Sequence, residues 1–197
     1  MIKNIVLDMG NVLMDYNPKI PLDLFFESDE DKALILKELF NGPEWIKGDL
    51  GEIKNEERYY GVSTRVPKRL HDQLKQCVDG WTVCMKPINE AKEFVQYVKD
   101  KGYKIYVLSN ACNAFYEYFP RFHQLNYFDG IVVSSDIHMV KPDLKIYQYF
   151  LDKYDLSANE CLFVDDRKEN IEAALQLGMH GHVFKNDFDQ VKTIYGL

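Results

Sequence analysis

Ile5-Val6-Leu7-Asp8-Met9-Gly10-Asn11-Val12-Leu13 is a short apolar run that stops at a carboxylate, with a glycine two residues beyond. Apolar runs of this length read as strands buried on both faces, as in parallel sheets. An acidic residue at the carboxyl end of such a strand sits where open α/β sheets place their chemistry. A second run far down the chain, Cys161-Leu162-Phe163-Val164-Asp165-Asp166, ends in two adjacent carboxylates. Two such strands side by side bring three carboxylates to one point. Like charges that close repel, and a cation resolves the repulsion.

Around these two strands the chain repeats a strand-then-helix grammar. Tyr103 to Leu108 reads as a strand ending at Ser109-Asn110, Gly130 to Ser134 as another, and Gly181 to Phe184 as a short last one. Ile88, Ala91, Val95 and Val98 recur at helical spacing before Lys101-Gly102, a helix stop. Pro142 to Tyr154 begins with proline, which suits a helix start, and Ile171 to Gly178 forms a further helix. The pattern predicts an α/β fold: a Rossmann-like parallel sheet core with helices on both faces.

The segment 15–87 departs from that grammar. It holds no convincing strand, and Pro21 to Phe40, Asn55 to Gly61 and Val66 to Trp81 read as helices, with Asn41 to Ile53 as a loop. The expected organisation is a catalytic core of residues 1–14 and 88–197, with a small all-helical cap domain, 15–87, inserted after the first strand.

Composition bounds the function. The chain has 197 residues, 46% of them hydrophobic, and a net charge of -7. That balance argues for a globular protein without the basic face that nucleic acids or anionic membranes require. Cys77, Cys84, Cys112 and Cys161 form no C-x-x-C pair and read as reduced thiols, so a cytoplasmic location is expected. The apolar run after Met1 is too short for a signal peptide, and no segment has the length of a membrane span.

Four landmarks occur in order: Asp8 after the first strand, Ser109 in Val107-Leu108-Ser109-Asn110, Lys141 in Val140-Lys141-Pro142-Asp143, and Asp165-Asp166 with Asn170 beyond. In this set the chain resembles the haloacid dehalogenase-like hydrolase superfamily, in its phosphatase branch with a small helical cap. The resemblance covers nearly the whole chain. It implies a Mg²⁺-dependent phosphatase in which Asp8 attacks phosphorus and forms an aspartyl-phosphate, splitting one hard step into two. It implies that Asp8, the Gly10 carbonyl and Asp166 ligate the metal, with Asp165 directly or through water. Ser109, Asn110 and Lys141 would bind the phosphoryl group, and Asn170 would orient Asp165 or a loop carbonyl.

One position departs from the common pattern. The superfamily motif D-x-D-x-[TV] carries a general acid/base at its second Asp, and here that position is Gly10. The form Asp8-Met9-Gly10-Asn11-Val12 resembles a D-x-G-[NG]-V branch that includes sugar-phosphate phosphatases. A small phosphorylated metabolite, such as a sugar phosphate, is therefore the expected substrate. Asp15 is a nearby carboxylate, read as lying beyond the strand end.

The stretch from Asn41 to Ile53 resembles the cap segment that faces the site in this branch. Trp45 would stack on a sugar face or anchor the cap core, and Glu44 or Lys47 would bind hydroxyls. Two other readings compete. A metal-independent 2-haloacid dehalogenase-type hydrolase also uses an Asp nucleophile but has no use for Asp165-Asp166. A catalytically impaired binding member has no physical reason to keep clustered charge. The expected state is a monomer or weak homodimer.

Overall fold

The structure is a computed structural model describing residues 1–197. Its strands are β1 (Asn4–Leu7), β2 (Met14–Tyr16), β3 (Met85–Pro87), β4 (Lys104–Ser109), β5 (Gly130–Val133), β6 (Cys161–Asp165) and β7 (His180–Val183). Five of them form one parallel sheet in the order β5-β4-β1-β6-β7, and β2 pairs antiparallel with β3. The central strand β1 is fully buried, as its continuous apolar run predicts.

Side chains alternate between the two faces of the sheet. Ile5, Leu7, Ile105, Val107, Leu162 and Val164 join one core, and Val6, Tyr106, Leu108, Cys161 and Phe163 the other. On the second face Ile146, Tyr147 and Phe150 of α9 (Leu144–Lys153) pack beside Ile171 and Ala174 of α10 (Lys168–Gln176). On the first face lie Phe94, Val95 and Val98 of α6 (Asn89–Asp100) and Val191 of α11 (Phe188–Tyr195). Short helices α7 (Phe115–Tyr118) and α8 (Ser134–Ile137) follow β4 and β5. This is the Rossmann-like arrangement the sequence predicts.

Between β2 and β3 the chain is helical: α1 (Lys19–Phe25), α2 (Asp29–Ile35), a π-helical turn Leu36–Phe40, α3 (Pro43–Asp49), α4 (Asn55–Ser63) and α5 (His71–Gly80). Its buried residues Leu22, Ile35, Leu39, Val62 and Leu74 continue the first core.

Four local expectations are corrected. The segment does contain strands, for Met14 pairs with Pro87 and Tyr16 with Met85 in a short antiparallel ribbon; three residues are too few for alternation to show. Pro21 to Phe40 is not one helix, because Ser28 is extended and its Oγ accepts from the Asp31 amide at 3.1 Å, starting α2 afresh. Asn41 to Ile53 is not wholly a loop, since Pro43 opens α3 at a position where its missing N–H costs nothing. The helix expected from Pro142 starts at Leu144, with Asp143 as its cap.

Candidate active site

The register of the sheet assembles the acidic cluster. Leu7 lies beside Val107 on one side and Val164 on the other, and the Asp8 amide donates to the Val164 carbonyl at 2.9 Å. The next residues of all three strands therefore emerge at one carboxyl edge. Asp8, Asp165 and Asp166 each bring a carboxylate oxygen within 4.8 Å of the others.

Lys141 enters this cluster from the β5–α9 connection. Its side chain is 1% exposed, and its Nζ donates to Asp8 Oδ1 and Asp165 Oδ2, each at 2.7 Å, and to the Leu108 carbonyl at 2.9 Å. All three protons of the ammonium are used. Burial opposes the charge on Lys141, yet Asp165 and Asp8 outweigh it and its pKa is raised. Burial dominates at Asp8 and pushes its carboxyl up to about 7, with Lys141 pulling it down and Asp165 pushing it up. The Asp166 carboxyl is also raised, chiefly by burial, against the hydrogen bond from Asn11.

The three carboxylates are not equivalent. Asp165 is fully buried and saturated: the Arg167 amide donates to Oδ1 at 2.8 Å, and Asn170 Nδ2 reaches both oxygens at 3.0 Å. Asp166 takes a 2.9 Å bond from Asn11 Nδ2 on Oδ2. Its Oδ1 and Asp8 Oδ2 are the oxygens left to the space in front of the sheet. A set of hard oxygen donors with uncompensated negative charge fits a small divalent cation.

In front of the cluster lies a cavity of about 830 Å³. Asp8, Gly10, Asn110, Lys141, Asp166 and Asn170 line its floor, and Tyr16, Phe40, Trp45, Ile46, Asp49, Trp81 and Tyr118 its roof and sides. The aromatic residues hold one another: Trp45 lies 5.0 Å from both Phe40 and Trp81, and Trp81 lies 5.7 Å from Tyr118.

Of the residues singled out in the sequence, Asp8, Gly10, Asn110, Lys141, Asp166, Asn170 and Trp45 all meet at this cavity. Ser109 ends β4 just behind the wall, its Oγ buried and without a hydrogen-bond partner. Two of the residues expected to bind hydroxyls do not reach the cavity. Glu44 is buried on the far side of α3, where Arg65 Nη1 donates to it at 2.9 Å, and Lys47 is exposed. Glu44 and Trp45 are consecutive in α3, so the helix turns their side chains about 100° apart and only Trp45 meets the cavity. Asp15 is exposed in β2, opposite Lys86.

Sequence reasoning missed Asn11, Tyr118 and Asp49. Asn11 adopts φ 55°, a left-handed conformation asparagine tolerates, which turns its amide back to Asp166. Asp49 is the last residue of α3 and lines the cavity beside Trp45. Its position became readable only once α3 was known to be a helix.

The sequence profile of the haloacid dehalogenase-like hydrolases matches residues 51–183. A sesquiterpene phosphatase of Aspergillus oryzae is 30% identical over 189 residues, 91% of this chain and 88% of that protein. A D-ribitol-5-phosphate phosphatase of Bacteroides thetaiotaomicron is 24% identical over 96% of this chain and 95% of that protein. Among solved structures, a HAD family enzyme of B. thetaiotaomicron in complex with magnesium and inorganic phosphate has the same fold. Its TM-score is 0.73 at 21% identity, over 97% of this chain and 99% of that one. The chain belongs to the haloacid dehalogenase-like hydrolase family. Within that family it stands with the phosphoric monoester hydrolases.

Proposed function

We propose that this protein is a Mg²⁺-dependent phosphatase that hydrolyses the monoester of a small alcohol with a largely apolar body. The observation that carries this reading is the single cavity with a charged floor and an aromatic roof. The floor suits a phosphoryl group, and the roof suits carbon. The sugar-phosphate expectation keeps Trp45 at the cavity but loses the hydroxyl-binding roles expected of Glu44 and Lys47, neither of which faces it. The A. oryzae relative, named for a sesquiterpene phosphatase, fits the apolar reading.

In this proposal residues 1–14 and 88–197 are the catalytic core and 15–87 the cap. Asp8 Oδ2 attacks phosphorus, the ester oxygen leaves, and water then releases phosphate from the aspartyl-phosphate. Lys141 Nζ holds Asp8 in place, and its fixed positive charge offsets negative charge on the phosphoryl oxygens. Ser109 Oγ supplies a buried, unpartnered hydroxyl at the end of β4, and Asn110 a side-chain amide. Asp8, Asp166 and the Gly10 carbonyl would hold Mg²⁺, with the saturated Asp165 orienting Lys141 instead of ligating. When bound, the ion offsets the repulsion between the nucleophile and an anionic substrate. No helix is long and apolar enough to cross a membrane, and the four cysteines are free, consistent with action on a water-borne substrate in the cytoplasm.

The test is phosphate release from a panel of isoprenyl, alkyl and sugar phosphates with and without Mg²⁺. Metal-dependent release that favours the apolar esters supports the reading. Preference for sugar phosphates would return the cap to the polar role, and release of halide from 2-haloacids alone would remove phosphate chemistry altogether.

A further inference from the structure

We propose that Asp49 is the general acid and base of this active site, reaching it from the helical segment and not from the sheet. The inference rests on the phosphatase reading above. An alkyl phosphate expels a strongly basic oxygen, so the first step needs a proton donor close to the ester oxygen. The second step needs a base to take a proton from water.

The cavity offers few groups for that work. Asp8 is the nucleophile, Lys141 spends its three protons on fixed acceptors, and Asp166 faces the metal position. Burial pushes the Tyr16 and Tyr118 phenols and the Cys112 thiol upward, away from the base role. Gly10 carries no side chain, and space is open there: an added Cβ would come no nearer than 4.0 Å to Tyr16 Cβ. Asp49 is the remaining carboxyl on the cavity wall.

Its backbone is fixed to the catalytic core. Ser134 Oγ donates to the Asp49 carbonyl, and His138 Nδ1 lies 2.7 Å from the Leu50 carbonyl. Gly51, at φ 70°, packs so closely on the Ser135 carbonyl that any side chain there would collide with it. These contacts clamp the end of α3 onto the β5–α8 junction and fix the Asp49 backbone at the cavity wall. Its carboxylate takes no hydrogen bond. The charged groups that face it are Arg58 and Lys141, and the neutral ones are Tyr16, Tyr118 and Cys112. Burial holds the Asp49 carboxyl up to about 7, against the pull of Arg58 and Lys141, so both protonation states are accessible near neutrality.

The steps balance. Asp8 Oδ2 forms a bond to phosphorus as the bond from phosphorus to the ester oxygen breaks, and the Asp49 carboxylic acid gives that oxygen its proton. The Asp49 carboxylate then takes a proton from the water whose oxygen attacks phosphorus. Asp8 leaves as carboxylate, and Asp49 is again protonated.

The experiment compares kcat/KM of the wild type and Asp49→Asn, with Mg²⁺, on an n-alkyl phosphate and on 4-nitrophenyl phosphate. This parameter covers only steps through leaving-group loss, and the nitrophenolate leaves without help. The variant should lose about 10²-fold or more on the alkyl ester and less than about 10-fold on the aryl ester. Equal losses on both esters, or no loss on the alkyl one, would overturn the proposal. Asp49→Ser, read in the same way, stands in should the first variant fail to fold. Wild-type protein inactive on both esters would instead sink the phosphatase reading, and this proposal with it.

Discussion

Asn110 and Lys141 grip each other in both directions: Asn110 Nδ2 donates to the Lys141 carbonyl at 2.9 Å, and the Lys141 amide donates to Asn110 Oδ1 at 2.8 Å. This two-bond clasp ties the end of β4 to the β5–α9 connection and so aims the Lys141 side chain at Asp8. Asn110→Ala should remove both bonds. With each worth about 0.5–1.5 kcal/mol net, a stability loss of about 1–3 kcal/mol is expected in urea unfolding. Phosphatase kcat/KM should fall by roughly 10–100-fold through misplaced Lys141. Unchanged activity in the destabilised variant would show that the clasp does not position the site.

Lys141→Met leaves Asp8 and Asp165 buried without their shared cation. Breaking a buried ion pair from one side costs about 3–5 kcal/mol. The pH dependence has a definite sign. In the wild type the Lys141 pKa is raised, so its contribution is present below its ordinary 10.5 and is lost only as the pH climbs through the higher folded value. In the variant Asp8, already raised to about 7, rises further and becomes neutral sooner as pH falls. The deficit against wild type should therefore be larger at pH 8 than at pH 5, measured by urea unfolding in a chelator. A deficit that does not change with pH would argue against charge as its cause.

Much of this site was legible in the sequence, for a physical reason. Asp8 and Asp165-Asp166 stand where buried strands end, and parallel register then brings strand ends together without further instruction. Ser109, at a strand end, and Lys141, just before a helix, were singled out through the family resemblance and not through the strand pattern. The helical segment was harder. Whether Glu44, Trp45, Lys47 or Asp49 faces the cavity depends on the phase of α3, and a seven-residue helix opened by Gly42-Pro43 has no long apolar stripe to show that phase. The β2–β3 ribbon is likewise too short to announce itself, being made by tertiary pairing and not by local pattern.

Asp49 should make the protein less stable as pH rises. Its carboxyl ionises at about 7 in the folded chain and at its ordinary 3.8 when unfolded, so between those values the folded state binds more protons. Stability from this group is full below about pH 4 and declines toward pH 7. Asp49→Asn keeps the shape without the charge. It should stabilise the metal-free protein at pH 8 by on the order of 2 kcal/mol, with little effect at about pH 4. Differential unfolding at the two pH values is the check, and a variant destabilised at pH 8 would mean that Arg58 holds a favourable ion pair there.

Mg²⁺ should raise the melting temperature of the wild type, since an ion that binds only the folded state adds about 2.7 kcal/mol at a hundred times its Kd. Asp166→Asn removes one of the two free carboxylate oxygens at the cavity floor and keeps an acceptor for Asn11. The variant should show a markedly smaller Mg²⁺-dependent shift and lower activity, while its melting temperature in a chelator stays close to wild type. A full shift in Asp166→Asn would place the cation elsewhere.

Trp45 carries the apolar-substrate reading most directly. Its ring meets Phe40 and Trp81 at 5.0 Å, lies under the Arg58 guanidinium at 4.8 Å, and lines the cavity. Because the ring is only partly buried, Trp45→Ala should cost about 2–3 kcal/mol of stability, below the 3–5 kcal/mol of a fully buried large-to-small change. Its effect on substrates should depend on their length. In the wild type each added CH₂ that reaches the roof is worth up to about 0.8 kcal/mol, so KM should fall steadily along a series of n-alkyl phosphates. With the roof opened, that gain should flatten, while the shortest esters, held by Lys141 and Asn110 on the floor, keep nearly wild-type constants. A uniform loss across the series would assign Trp45 to the packing of the helical segment alone and leave the apolar preference without a residue to carry it.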